Sequence, residues 1–159
     1  MTILSVVKKR ILILIRQIFY FFTMEQIEEI FRIKKVKPTA VRVVVLRHLV
    51  EQKKAKSLKE IETSLPETDR SSIFRTLKTF EKHKVIHSIE DGSGMTKYAV
   101  CVDGCNCDPE DLHYHFFCTL CNITYCLLDY PIQAIRLPKN FKMEKANMVI
   151  KGLCDKCNR

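Results

Sequence analysis

With 159 residues the chain is one domain or two small ones, and two small ones would each have a core thin enough for a metal to help hold. Its eight cysteines include Cys-x-x-Cys pairs, lysine is abundant and no clean signal peptide precedes them, which argues against a secreted disulfide framework and for thiolates on metal in a reducing cytoplasm. The net charge of +9 is uneven: residues 24–100 hold 16 basic and 11 acidic residues and residues 101–159 seven of each, so the first half is the part expected to meet a polyanion.

Residues 1–23 carry four basic and no acidic residues, and their apolar run from Ile11 to Phe22 is broken by Arg16 and Gln17. It is too short to span a bilayer and lacks a cleavage site. Three readings stay open: a basic surface anchor, an extra helix, or an upstream extension of a frame that starts at Met24, the last being preferred. Membrane contact is expected only if this segment is real.

From Glu25 to Lys35, Ile27, Ile30, Phe31 and Ile33 recur at near-helical spacing and predict a first helix. A basic turn through Lys37 follows, and Thr39 caps a second helix reaching about Glu51. Lys53–Lys56 reads as a solvated basic loop. Ser57-Leu58-Lys59-Glu60 is a capping box that opens a short helix through Leu65, and Pro66 ends it. Asp69 caps a further helix, Arg70 to His83, with Ile73, Leu77 and Phe80 on its buried stripe. Strands at Val85–Ile89 and Thr96–Cys101, joined by Asp91-Gly92-Ser93-Gly94, form a hairpin.

Short helices followed by a hairpin are the order of a winged helix-turn-helix, in which the last helix enters the major groove and the wing lies on the backbone. The polar face of the Arg70–His83 helix suits that role. Arg75 is placed to reach a guanine edge, Ser71, Ser72 and Lys78 face phosphate, and Arg70 joins them on the DNA-binding face. An ordinary solvated face would also be charged; the basic surplus and the hairpin decide for DNA.

The second half is built on cysteines. Cys118-x-x-Cys121 and Cys154-x-x-Cys157 are two hooks that supply four thiolates, the ligand set of a closed structural zinc site. Strands are predicted at His113–Cys118, Ile123–Leu128 and Met148–Lys151, with a short helix or turn between Pro131 and Pro138. His113 and His115 share one face of their strand, and neither can enter a four-thiolate shell that is already full. His87 and Cys101, on the paired wing strands, complete a set of three imidazoles and one thiolate at the junction of the halves, a set better suited to Zn(II) than to Mn(II) or Fe(II). An ion there would fix the angle between the halves. Cys126 reads first as a buried core thiol and second as a further ligand. Cys105 and Cys107 lie in a polar loop with no assigned role.

Taken together, Thr39-Ala40-Val41-Arg42, Ser72-Ile73-Phe74-Arg75-Thr76-Leu77, His113-x-His115-x-x-Cys118-x-x-Cys121 and Gly152-Leu153-Cys154-x-x-Cys157 resemble the ferric uptake regulator family over about residues 26–159. The resemblance implies an α+β chain: a winged helix-turn-helix DNA-binding domain at 24–101, then a small α+β zinc-binding dimerisation domain at 102–159 pinned by four cysteines. It implies a homodimeric repressor that binds a double-stranded operator when a sensing site fills, with Lys37, Thr39, Arg42 and Phe74 joining the DNA contacts. Tyr98-Ala99-Val100-Cys101 looks like the zinc-sensing branch, which makes His87, Cys101, His113 and His115 the sensor and gives one structural and one regulatory zinc per chain. Phe74 stands where the family usually has Tyr, Asn122 where it has Gly, and Ala146 where other members carry a His of an additional site.

Two other classes compete with this reading. A peroxide- or iron-sensing member of the same family would bring carboxylates into the sensing set. A thiol-redox or iron electron-transfer protein would use the same cysteine pairs but be coloured or cycle a disulfide. No nucleophile-base arrangement and no phosphate-cradling glycine loop points to an enzyme or to a small-molecule substrate.

Overall fold

The computed structural model describes residues 24–52, 54–101, 113–132, 136–143 and 146–159. The N-terminal extension and the Cys105/Cys107 loop lie outside them, as does the middle of the segment expected to turn after Pro131. Among the described residues no helix is long and apolar enough to cross a membrane.

Helix α1 (24–33) buries Ile27 and Phe31, one turn apart. It closes through Lys35 at φ 53°, after which the Val36 N–H donates to the Phe31 carbonyl at 2.9 Å and Val36 is itself buried. A positive-φ residue followed by a buried apolar one is the Schellman way of ending a helix. Helix α2 (Ala40–Gln52) begins where Thr39 accepts at its hydroxyl from the Arg42 N–H and at its carbonyl from Val43. Its run of valines stays helical because Val45, Leu46 and Leu49 are buried together.

Ala55 and Lys56 are no solvated loop. Ala55 is buried, and Lys56–Ser57 forms a short strand, β1, whose Lys56 pairs with Tyr98. The pairing partner lies far along the chain, so local composition could not reveal it. Ser57 then caps α3 (Leu58–Ser64) with both arms of the capping box made. Asp69 caps α4 (Arg70–Lys82) by accepting from the Ser72 N–H at 2.9 Å, and α4 buries Ile73, Thr76, Leu77 and Phe80. Like α1 it ends on a positive-φ lysine, Lys84, followed by buried Val85.

Strands β2 (Ile86–Glu90) and β3 (Thr96–Val100) form the hairpin, with β1 on the far side of β3 in the order β1-β3-β2. Its turn needs φ of +80° at Gly92 and +82° at Gly94, values that favour glycine. The helices and hairpin share one core of Ile27, Phe31, Leu46, Ile61, Leu77, Phe80 and their neighbours.

A second three-stranded sheet has the order β5-β4-β6. Here β4 (His113–Cys118) pairs antiparallel with β5 (Thr124–Pro131) and parallel with β6 (Val149–Gly152). Strand β5 extends through Pro131, which therefore ends a strand instead of opening a helix. The two sheets meet: the Ala55 N–H donates to the Thr124 carbonyl at 3.1 Å, and Ala55, Ile89 and Ala99 pack with Cys126 and Val149. The fold is thus a winged helix followed by a small sheet unit, docked against the wing.

Candidate metal centre and nucleic-acid face

The first hook follows β4, where the Asn122 N–H donates to the Cys118 carbonyl at 2.9 Å and Asn122 takes φ 58°. Asparagine tolerates that conformation, so the residue standing in place of glycine keeps the turn. Parallel pairing of Cys118 with Gly152 brings the second hook alongside. There the Cys157 and Asn158 N–H groups both donate to the Cys154 carbonyl at 2.9 Å. Cys118, Cys121, Cys154 and Cys157 then have their sulfurs all within 4.8 Å, with Cys121 and Cys154 at 3.9 Å. Sulfurs on a tetrahedral zinc with 2.3 Å bonds would be about 3.8 Å apart. Backbone N–H groups of Cys121, and after burial's opposing effect those of Cys154 and Leu120, hold the Cys118 thiol down at about 6, while its hydrogen-bonded neighbour Cys154 raises Cys157. Cys154 is lowered as well and Cys121 raised, so the four thiols are split in their ease of ionisation and a cation would be needed to ionise all of them together.

The second group stands where the sheets meet. His113 and His115 rise from one face of β4, with ring centroids 4.6 Å apart. His87, on β2, lies with its centroid 5.0 Å from His113 and 5.3 Å from His115, and its Nε2 is 3.1 Å from that of His115. Cys126 pairs with His115 across β4 and β5, and its Sγ is 3.9 Å from His87 Nε2. The ligand atoms of His87, His113, His115 and Cys126 lie within 4.8 Å of one another.

Chain spacing assigns the fourth place to Cys101; the structure puts Cys126 there. In the hairpin register His87 pairs with Ala99, and the Cys101 N–H donates to the Val85 carbonyl at 2.9 Å. Cys101 Sγ therefore meets the other edge of the His87 ring, 3.5 Å from Nδ1. It is placed to orient the imidazole whose Nε2 faces the group. The signal for Cys126 was its antiparallel pairing with His115, which needs the β4–β5 register to be seen.

Burial, reinforced by the neighbouring imidazoles His113 and His115, pushes His87 down to about 3. Burial and His113 push His115 down to about 4, and burial pushes the Cys126 thiol up to about 12. Both imidazoles are neutral near pH 7 and offer lone pairs instead of charge. The His115 Nδ1 is buried and has no hydrogen-bond partner among the described residues. Three imidazoles and a thiol, with no carboxylate joining them among the described residues, fit a tetrahedral zinc and fit poorly the oxygen-seeking ions.

The face expected to meet DNA lies on α4 and the start of α2. Ser71, Phe74, Arg75 and Lys78 are exposed along α4, as are Lys37 and Thr39 before α2. Arg75 Nη2 donates to the Ser72 hydroxyl at 3.2 Å, and Lys78 reaches Glu81 at 2.9 Å while lying 5.7 Å from the Phe74 ring centroid. Lys78 is thus engaged within the protein, and so are two more of the expected cations: Arg70 pairs with Glu62, and Arg42 Nη1 donates to the Lys37 carbonyl at 2.7 Å. Arg75 is thus the arginine of this face whose side chain holds only a hydroxyl.

A winged helix docked on a small sheet, with one four-thiol group and one imidazole-rich group at the junction, defines a metal-binding protein with a nucleic-acid-binding fold. The sequence profile of the ferric uptake regulator family matches residues 33–151, and the chain belongs to that family. It is 27% identical over 97 residues to the ferric uptake regulation protein of Bacillus subtilis strain 168, an alignment spanning 58% of this chain and only 62% of that protein. Among solved structures, a zinc uptake regulator complexed with zinc and DNA superposes with a TM-score of 0.61 at 19% identity, covering 85% of this chain and 94% of that one. The ferric uptake regulator of Helicobacter pylori, described with three functional metal-binding sites, superposes with a TM-score of 0.54 at 18% identity, covering 86% and 92%. At these identities the two structures establish a shared fold.

Proposed function

We propose that the chain is a metal-dependent transcriptional repressor that senses Zn(II), acts as a homodimer in the cytoplasm, and is not an enzyme. Residues 24–101 form its DNA-binding domain and residues 102–159 its dimerisation domain. Cys118, Cys121, Cys154 and Cys157 hold a structural zinc. His87, His113, His115 and Cys126 hold the regulatory one, and Cys101 orients His87. The observation that supports the choice of metal is the gathering of three imidazoles and one thiol at the junction, nitrogen and sulfur donors that suit zinc over iron or manganese. Because His87 comes from the wing and the other three from the second sheet, filling the group ties the wing to that sheet. An ion bound more tightly in this arrangement than in any other shifts the population toward it, and with it the orientation of α4.

Duplexes selected from a random pool in the presence of zinc, then titrated with and without a zinc chelator, test this reading. Binding should vanish on chelation, return with zinc and fall steeply with salt. Tight binding that ignores zinc, or that returns only with Fe(II) or Mn(II), would overturn the sensing assignment.

A further inference from the structure

Beside the imidazole group lies a second set of buried polar side chains that no metal ligand explains. Asp91 and Lys97 are 0% and 3% exposed at their side chains, and Lys97 Nζ is 3.1 Å from Asp91 Oδ2. Thr124, fully buried, donates its hydroxyl to the same Asp91 oxygen at 2.5 Å. Lys97 Nζ also donates to Thr124 Oγ1 at 3.2 Å and to the Asn122 carbonyl at 2.5 Å, and the Ser93 N–H donates to Asp91 Oδ1 at 2.9 Å. All three ammonium protons and both carboxylate oxygens thus have partners.

The members come from both halves. Asp91 and Lys97 belong to the wing hairpin; Asn122 and Thr124 belong to the second sheet. A buried pair of charges is costly unless every remaining donor and acceptor is satisfied, so the set is favourable only in the one arrangement that completes it. Strand alternation places His87 and Ile89 on one hairpin face, with Lys97 and Ala99 opposite them in register. On β5, Thr124 and Cys126 are two residues apart and share a face, a separation of about 7 Å along the strand. The polar set therefore fixes the register of hairpin against β5 one step from the place where His87 must meet Cys126 and His115.

We propose that Asp91, Lys97 and Thr124 are positioning residues of the junctional metal site. They bias the wing toward the second sheet before an ion binds, so that the arrangement in which His87 faces its three partners is the more populated when the ion arrives. The inference rests on the reading of His87, His113, His115 and Cys126 as a metal site. It makes the chain's affinity for its second zinc depend on three side chains that never touch the ion.

The test uses the full chain with the four-cysteine site loaded. Second-site affinity is measured by competition with a chromophoric zinc chelator in the wild type, in Thr124→Val, and in an Asp91→Leu/Lys97→Met double variant that removes both charges at once. Each variant should retain its first zinc and bind the second at least about tenfold more weakly, in the range seen when partners behind metal ligands are removed. In protein stripped of the second zinc, the Ala55 N–H should be protected from exchange in the wild type and lose about tenfold of that protection in Thr124→Val. A network that serves stability alone would lower the melting temperature and leave second-site affinity within twofold, which would overturn the proposal. A wild type that takes up only one zinc would overturn the underlying reading of the site, and the two failures are told apart by that stoichiometry.

Discussion

Asp91 is a carboxylate with none of its side chain in water, and its neighbours decide its charge. Burial alone would push it up, but donors from Ser93, Thr124 and Lys97 outweigh that and hold it at about 2. The folded value lies below the unfolded one near 4, so the stabilisation is complete above about pH 4 and is lost as pH falls from there toward 2. Asp91→Asn leaves Lys97 buried and without its counter-charge, at a cost of about 3 kcal/mol. Urea unfolding of wild type and Asp91→Asn should show that difference unchanged between pH 5 and 7; a difference that shrinks steadily over that range would mean the carboxyl is not held ionised. At the same scale, the proposed assignment gives Cys126 and Cys101 two different roles. Cys126→Ser should remove the second zinc at micromolar free metal, whereas Cys101→Ser should weaken it by about tenfold, as for a partner behind a ligand. Zinc competition on both variants checks the order, and the reverse order would return Cys101 to the ligand shell.

At the scale of elements, the parts set by neighbours in the chain were the ones legible in the sequence. Ser57 and Glu60 cap α3, and Asp69 caps α4, because a cap needs only residues three apart. The hooks could be read for the same reason. Strand β1 could not, since its existence depends on Tyr98. The different places of Cys126 and Cys101 could not be told apart, because each lies on or just after a strand near a histidine and only cross-strand register distinguishes them. Two helix ends depart from local preference: α1 and α4 finish on Lys35 and Lys84 at φ 53° and 55°. A left-handed non-glycine residue costs roughly 1–2 kcal/mol, offset in part by glycine's greater freedom when unfolded. Lys84→Gly should therefore stabilise the chain by about 0.5 kcal/mol, seen as a higher urea midpoint at constant slope. On α4 itself, Arg75→Ala should weaken binding to a selected duplex by about 1–3 kcal/mol and relax discrimination at one base pair, in competition titrations against single-base variants. Equal losses on all sequences would instead make Arg75 a phosphate contact.

At the scale of the whole molecule, the two candidate ligand groups would divide the labour differently. The four-cysteine group ties β4 to the C-terminus within one sheet, while the imidazole group draws on both sheets. Removing the first should unfold the second half, because its thiols join the turn after β4 to the turn after β6; removing the second should leave both sheets intact and only loosen their relation, which the set of Asp91, Lys97 and Thr124 still favours. The basic surplus of residues 24–100 marks the half expected to meet a polyanion, and the exposed Arg75 and Lys78 sit in that half. What the chain order could not show is how closely the halves pack, since Ala55, Ile89, Ala99, Cys126 and Val149 become neighbours only once both sheets exist.

The central claim, two metal sites with distinct ligands, is tested most directly by zinc content per chain in protein purified from residue 24. The wild type should carry two zincs, and the His113→Ala/His115→Ala double variant one. One zinc in both would leave only the four-cysteine clamp and would contradict a sensing site at the junction.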